Sequence, residues 1–116
     1  MPGDEDLLLN ITVKVGGYSA IDQVWVIGAY WRGFMSELRE LERLRKGKAT
    51  LEGVSPEVLK LVFMTTGRAR HLAVSGFIGW RDSYNGYYQK LEFGFPFDAG
   101  MLQNVLQELE FLGRKQ

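Results

Sequence analysis

The chain has 116 residues and no cysteine. That excludes a disulfide scaffold, a thiolate nucleophile and any thiolate metal site. It has one histidine, His71. Metal centres and nucleophilic triads draw histidine into clusters, and a lone one supplies none. Charge of one sign is not in excess, with Lys+Arg at 14 and Asp+Glu at 14. A general polyanion binder needs local positive excess, so no nucleic-acid partner is expected. No apolar run approaches the ~18 residues of a membrane-spanning helix. The start, Met1 to Asp6, is acidic where a secretory signal would be basic. The expectation is a cytoplasmic protein, off the membrane, with no cofactor and no metal.

What is present suits one hydrophobic core, so residues 1–116 are read as a single domain with 1–5 and 113–116 frayed. The aromatic fraction of 13% favours sheet. Leu7, Leu9, Ile11, Val13 and Val15 alternate with Leu8, Asn10, Thr12 and Lys14, the period of a half-buried strand that Gly16-Gly17 ends. Residues 22–29 read as a second strand, apolar on both faces after Val24. Trp31, Phe34, Leu38 and Leu41 recur at helical spacing and predict a helix over about 30–46, stopped at Gly47. Residues 48–52 suit a short strand or an extended link. Strands are predicted over 57–65 and 70–80, with a return strand after Asn85-Gly86. Phe97, Asp98 and Leu102 resemble a hydrophobic staple around a capping carboxylate, and Leu102, Val105, Leu106, Leu109 and Leu112 form the apolar face of a second helix. The fold class is α+β. A single antiparallel sheet of about five or six strands carries two helices on one face, in the order β-β-α-(β)-β-β-β-α.

Asn-Gly suits a two-residue type I′ hairpin. With Asn85-Gly86 as its loop, Trp80 faces Leu91, Ile78 faces Phe93, and Val74 faces Phe97. A turn at Thr66-Gly67 sets Leu61 opposite Leu72 and Leu59 opposite Val74. Both hairpins then put their bulky apolar residues on one inner face, which a one-residue slip would destroy.

No constellation of residues marks an active site. Asp82 and Glu92 are not brought together by anything in the pattern. Gly76 and Gly79 read as bulge, bend or close-packing positions, since the helix and lysine of a phosphate loop are missing. The basic groups from Arg39 to Lys48 are interleaved with Glu40 and Glu42, as on a solvated helix face. The outer sheet face is more informative. Val58, Val62, Met64, Ala73, Phe77 and Tyr88 share its parity with Lys60, His71, Lys90 and Glu92. A solvated sheet face is usually polar, and this one is mixed. Either a partner covers it, or the first helix or the N-terminal strands wrap that side. Met64, Arg70, His71, Phe77, Tyr88 and Lys90 are the candidate binding residues, and none is assigned a catalytic role.

Gly67, His71, Val74 and Gly76, followed by Leu91, Phe93, Asp98 and Leu102, form a pattern, as do Trp31, Phe34 and Leu38 in the first helix. Over residues 22–112 it resembles a family of small bacterial proteins grouped with WapI-type immunity proteins. The resemblance implies a protein without catalytic residues that binds and neutralises a toxin of its own cell line. The leading expectation is therefore a non-enzymatic protein-binding module, an immunity-like protein that neutralises a toxin. A homodimeric structural or regulatory domain using the outer sheet face is the alternative. A small ligand binder or enzyme lined by Arg70, His71 and Tyr88 comes third.

Overall fold

The structure is a computed structural model that describes residues 6–55, 57–66 and 71–97. Strand β1 (Leu7–Val15) and strand β2 (Tyr18–Val26) form a hairpin. Its register runs from Leu7 opposite Val26 to Val15 opposite Tyr18. Gly16 turns it with φ 60 while Gly17 stays negative, the pattern of a type II′ loop. The predicted strand over 22–29 therefore begins earlier and closes directly on β1.

Helix α1 spans Gly28–Leu44, and its buried stripe is Gly28, Trp31, Phe34, Met35, Leu38 and Leu41. Ile27 at its N-cap makes no side-chain bond. Instead the Gly28 N–H donates to Asp6 Oδ1 at 3.0 Å, so the cap comes from ahead of β1. The helix ends at Arg45, which takes the left-handed conformation at φ 56. Its Nε–H reaches back to the Glu42 carbonyl at 2.9 Å, satisfying an end-of-helix acceptor. The stop thus precedes Gly47, which adopts φ 97 in the link that follows.

Strands β3 (Lys48–Glu52), β4 (Leu59–Thr66), β5 (His71–Arg81) and β6 (Tyr88–Phe97) form an antiparallel sheet in that order. The expected single sheet is corrected: β1 and β2 make a separate two-stranded sheet. Parity identifies which side of a strand is apolar, but not which sheet the strand joins. Here the edge beyond β3 is occupied by α1, whose Glu37 Oε1 accepts the Thr50 N–H at 3.0 Å. The second predicted helix, over about 98–112, and both frayed ends lie outside the described residues. One helix is present among the described residues.

Neither predicted register holds, yet both predicted faces do. Ile78 lies opposite Leu91, two residues from the predicted Phe93. Leu61 lies opposite Gly76, four residues from the predicted Leu72. Even shifts preserve parity, because side chains alternate with period two. Leu51, Leu61, Gly76 and Phe93 accordingly form one row across the inner face.

The hairpin slip has a local cause. Asp82 Oδ1 accepts the Tyr84 N–H at 2.8 Å, and Oδ2 accepts from Asn85 Nδ2 at 3.0 Å. The Asp82 N–H donates to Tyr87 O at 2.8 Å, while its carbonyl accepts the Gly86 N–H at 2.7 Å. Asp82 thereby organises a longer loop in which Gly86 alone takes positive φ, at 77. A type I′ turn would need Asn85 there as well.

Helix α1 and the β1–β2 hairpin both pack on the inner face. Phe34 and Phe63 ring centroids lie 5.8 Å apart. Leu7, Val13, Val24 and Val26 join one buried cluster with Leu38, Leu51, Leu59, Leu72 and Ile78. At the rim, the Val54 N–H donates to the Trp25 carbonyl at 2.8 Å, stitching the two sheets together.

Candidate functional site

With its inner face taken, the sheet turns its other face away from both packed elements. The register sets that outer face out in rows. Lys48, Met64, Ala73 and Pro96 form one, and Thr50, Val62, Ser75 and Gly94 the next. Glu52, Lys60, Phe77 and Glu92 follow. Gly79 and Lys90, then Arg81 and Tyr88, complete the long hairpin. Val62, Met64, Ala73 and Phe77 are each half-buried. Small residues floor the middle of the face, with Phe77 standing at one side. Lys90 Nζ lies 5.0 Å from the Phe77 ring centroid and 3.1 Å from Glu92 Oε1. The cation therefore sits on an aromatic face beside an anion.

Of the candidate binding residues, Met64, Phe77 and Lys90 share this central stretch. His71 pairs with Thr66 at one end of β5, and Tyr88 pairs with Arg81 at the other. At about 3.3 Å per residue, the length of β5 separates those ends by roughly 30 Å. That distance does not bring His71 and Tyr88 together in one pocket. Arg70 lies outside the described residues.

Tyr88 has a structural task. Its hydroxyl donates to the Glu57 carbonyl at 2.6 Å. Arg81 grips the Glu57 carboxylate through Nε at 3.2 Å and through a terminal nitrogen at 2.9 Å. The Arg81 guanidinium also lies 5.0 Å from the Tyr88 ring centroid and donates to the Gly86 carbonyl at 3.0 Å. Its hydrogen bonds, then its charge, hold the Glu57 carboxyl below the ordinary glutamate value. This clamp ties the long hairpin to the turn before β4. It also explains Gly79, where a Cβ would collide with the Glu57 carbonyl and the Tyr88 hydroxyl. The clamp was not visible in the sequence, because its partners meet only in the shifted register.

A groove of about 490 Å³ lies between Ser19–Asp22 of β2 and the 78–80 and 89–91 stretches of the long hairpin. Its walls include Ile78, Trp80 and Leu91. Its charged members do not converge: Asp22 Oδ1 accepts the neighbouring Gln23 N–H at 2.8 Å, and the Lys90 ammonium is engaged with Glu92 and Phe77. A ligand site usually fixes its occupant with convergent polar groups. No group of three or more histidine, aspartate or glutamate side chains suited to a metal occurs among the described residues. No described helix is long and apolar enough to cross a membrane.

A second apolar surface was not among the predicted sites. Leu8 and Trp25 are cross-strand partners on the solvent side of the β1–β2 hairpin, with Ile21 further along. All three are exposed. The sequence signal was the loss of clean alternation after Val24, where both parities become apolar. No protein-family model, curated protein or solved structure matches the chain.

Proposed function

We propose that the protein is a non-enzymatic protein-binding module whose contact surface is the outer face of the four-stranded sheet. One observation carries this reading: α1 and the β1–β2 hairpin both occupy the inner face, while Val62, Met64, Ala73 and Phe77 lie on a face that no described element covers. An apolar centre with a charged rim is the general anatomy of a protein contact. Lys60, His71, Lys90 and Glu92 supply such a rim, and all four are exposed. On the resemblance to WapI-type immunity proteins, the partner class we propose is a toxin of the same cell line. The face itself requires only a protein of complementary shape.

The test pairs binding with protection. Met64→Asp and Phe77→Asp place charge in the centre of the face. Each is expected to keep the thermal unfolding profile and to abolish retention of a partner that the unaltered protein captures. In cells expressing a toxin that the unaltered protein neutralises, the same variants should lose protection. Full protection by a folded double variant would defeat the proposal.

A further inference from the structure

We propose that two copies of the chain pair antiparallel through the outer edge of β6, with Lys90 of each copy opposite Glu92 of the other. The sheet ends at β6, and no described strand pairs beyond it. The opposite edge is closed by Glu37 of α1 on the Thr50 N–H. The hydrogen-bond phase shows what β6 presents. Asp82 and Tyr87 are a bonded pair across the hairpin, so odd-numbered residues of β6 bond to β5. The even-numbered residues Tyr88, Lys90, Glu92 and Gly94 therefore direct their N–H and C=O groups outward. Pro96 falls in the same phase, and its missing N–H ends the usable edge.

Edge lysines and prolines commonly block strand addition. Here the two charges are of opposite sign, two residues apart on one face, and that makes them self-complementary in one antiparallel register. Centring the twofold on Lys90 sets lysine against lysine, and centring it on Glu92 sets glutamate against glutamate. Centring it on Leu91 sets each lysine against the partner's glutamate, twice over. That register also satisfies the outward phase, since bonded pairs join even-numbered residues of both copies. Two further matches come without adjustment. Tyr87 falls opposite Phe95, and those side chains are 72% and 40% exposed in the single chain. Pro96 falls opposite Gly86, just past the last bonded pair. This contact uses the backbone edge of β6 and shares Lys90 and Glu92 with the rim of the proposed outer-face contact, so Met64→Asp and Phe77→Asp, which lie off the edge, separate the two.

Sedimentation of the full chain over a rising concentration series tests the pairing. The unaltered protein should shift from monomer towards twice the monomer mass. Lys90→Glu and Glu92→Lys each oppose like charges, and each alone should remain monomeric over the same range. Mixed in equal amounts they should associate, because the charges are complementary again. The double variant Lys90→Glu/Glu92→Lys should associate by itself. Matching thermal melts separate these outcomes from misfolding. A strictly monomeric unaltered protein would overturn the inference. So would single variants that do not regain association on mixing, or a dimer lost on Met64→Asp but indifferent to Glu92→Lys.

Discussion

The two faces of the four-stranded sheet come from the same strands and differ only in residue parity, yet they have opposite roles. On the inner face Leu59, Leu72 and Ile78 are buried beneath α1 and the β1–β2 hairpin. On the outer face Met64 and Phe77, the largest apolar side chains there, remain half-buried. Hydrophobic stabilisation scales with area removed from water, so stability should concentrate on one face and leave the other free to change. Phe34, nearly fully buried against Phe63, provides the strongest challenge. Phe34→Ala should cost about 3–5 kcal/mol. Met64→Ala on the outer face should cost less than about 1 kcal/mol, nearer to a surface change. Urea unfolding of both variants measures the contrast. Equal losses would mean that the outer face is also core.

Two glycines sharpen the same comparison at the backbone level. A Cβ on Gly76 would collide with the Lys60 carbonyl of β4, whereas one on Gly94 would meet Ser75 no closer than 3.6 Å. Gly76→Ala should destabilise by about 1–3 kcal/mol, as overpacking does. Gly94→Ala should be nearly neutral. Denaturation midpoints with matching slopes would check both.

These contrasts also show how much was legible beforehand. Parity was, because alternation of Leu59, Leu61 and Phe63 with Lys60 and Val62 is a local property of the chain. The α1 stripe was legible for the same reason. Register was not, since it depends on loop length, and Asp82 replaces the expected two-residue bend with its own hydrogen bonds. Sheet membership was not legible either: nothing local tells β1 and β2 to stack on a sheet rather than extend it. The outer apolar face followed from parity alone. The separation of His71 from Tyr88 follows from their places at opposite ends of the long strand, in either register.

A non-local cap supplies the next, smaller effect. Asp6 satisfies the first N–H of α1 from outside the helix. Asp6→Ala should remove about 0.5–2 kcal/mol, the usual range for an N-cap. The loss should be concentrated in the layer that α1 and the β1–β2 hairpin form over the inner face. Amide exchange should speed up in the first turn of α1 and stay unchanged at the centre of β5. Uniform acceleration through both layers would show that the cap supports the whole domain.

The smallest effect is carried by pH, and it acts at the exposed end of the long hairpin. The Asp82 carboxyl lies below its ordinary value, chiefly because the Tyr84 N–H donates to it, with Asn85 contributing further. Glu57 is lowered by the Arg81 hydrogen bonds and then by its charge. In both cases the unfolded chain holds the proton more tightly than the folded one. Their stabilisation is therefore complete above the ordinary carboxyl pKa and is lost as pH falls through the lower folded value. Acidification below about pH 4 should consequently loosen the hairpin loop and the Glu57 clamp while the α1 layer persists. Asp82→Asn keeps an acceptor for Tyr84 but cannot ionise, so its unfolding midpoint should depend less on pH in that window. An unchanged pH slope in Asp82→Asn would remove Asp82 from the account and leave the Glu57–Arg81 pair as the acid-sensitive contact of the long hairpin.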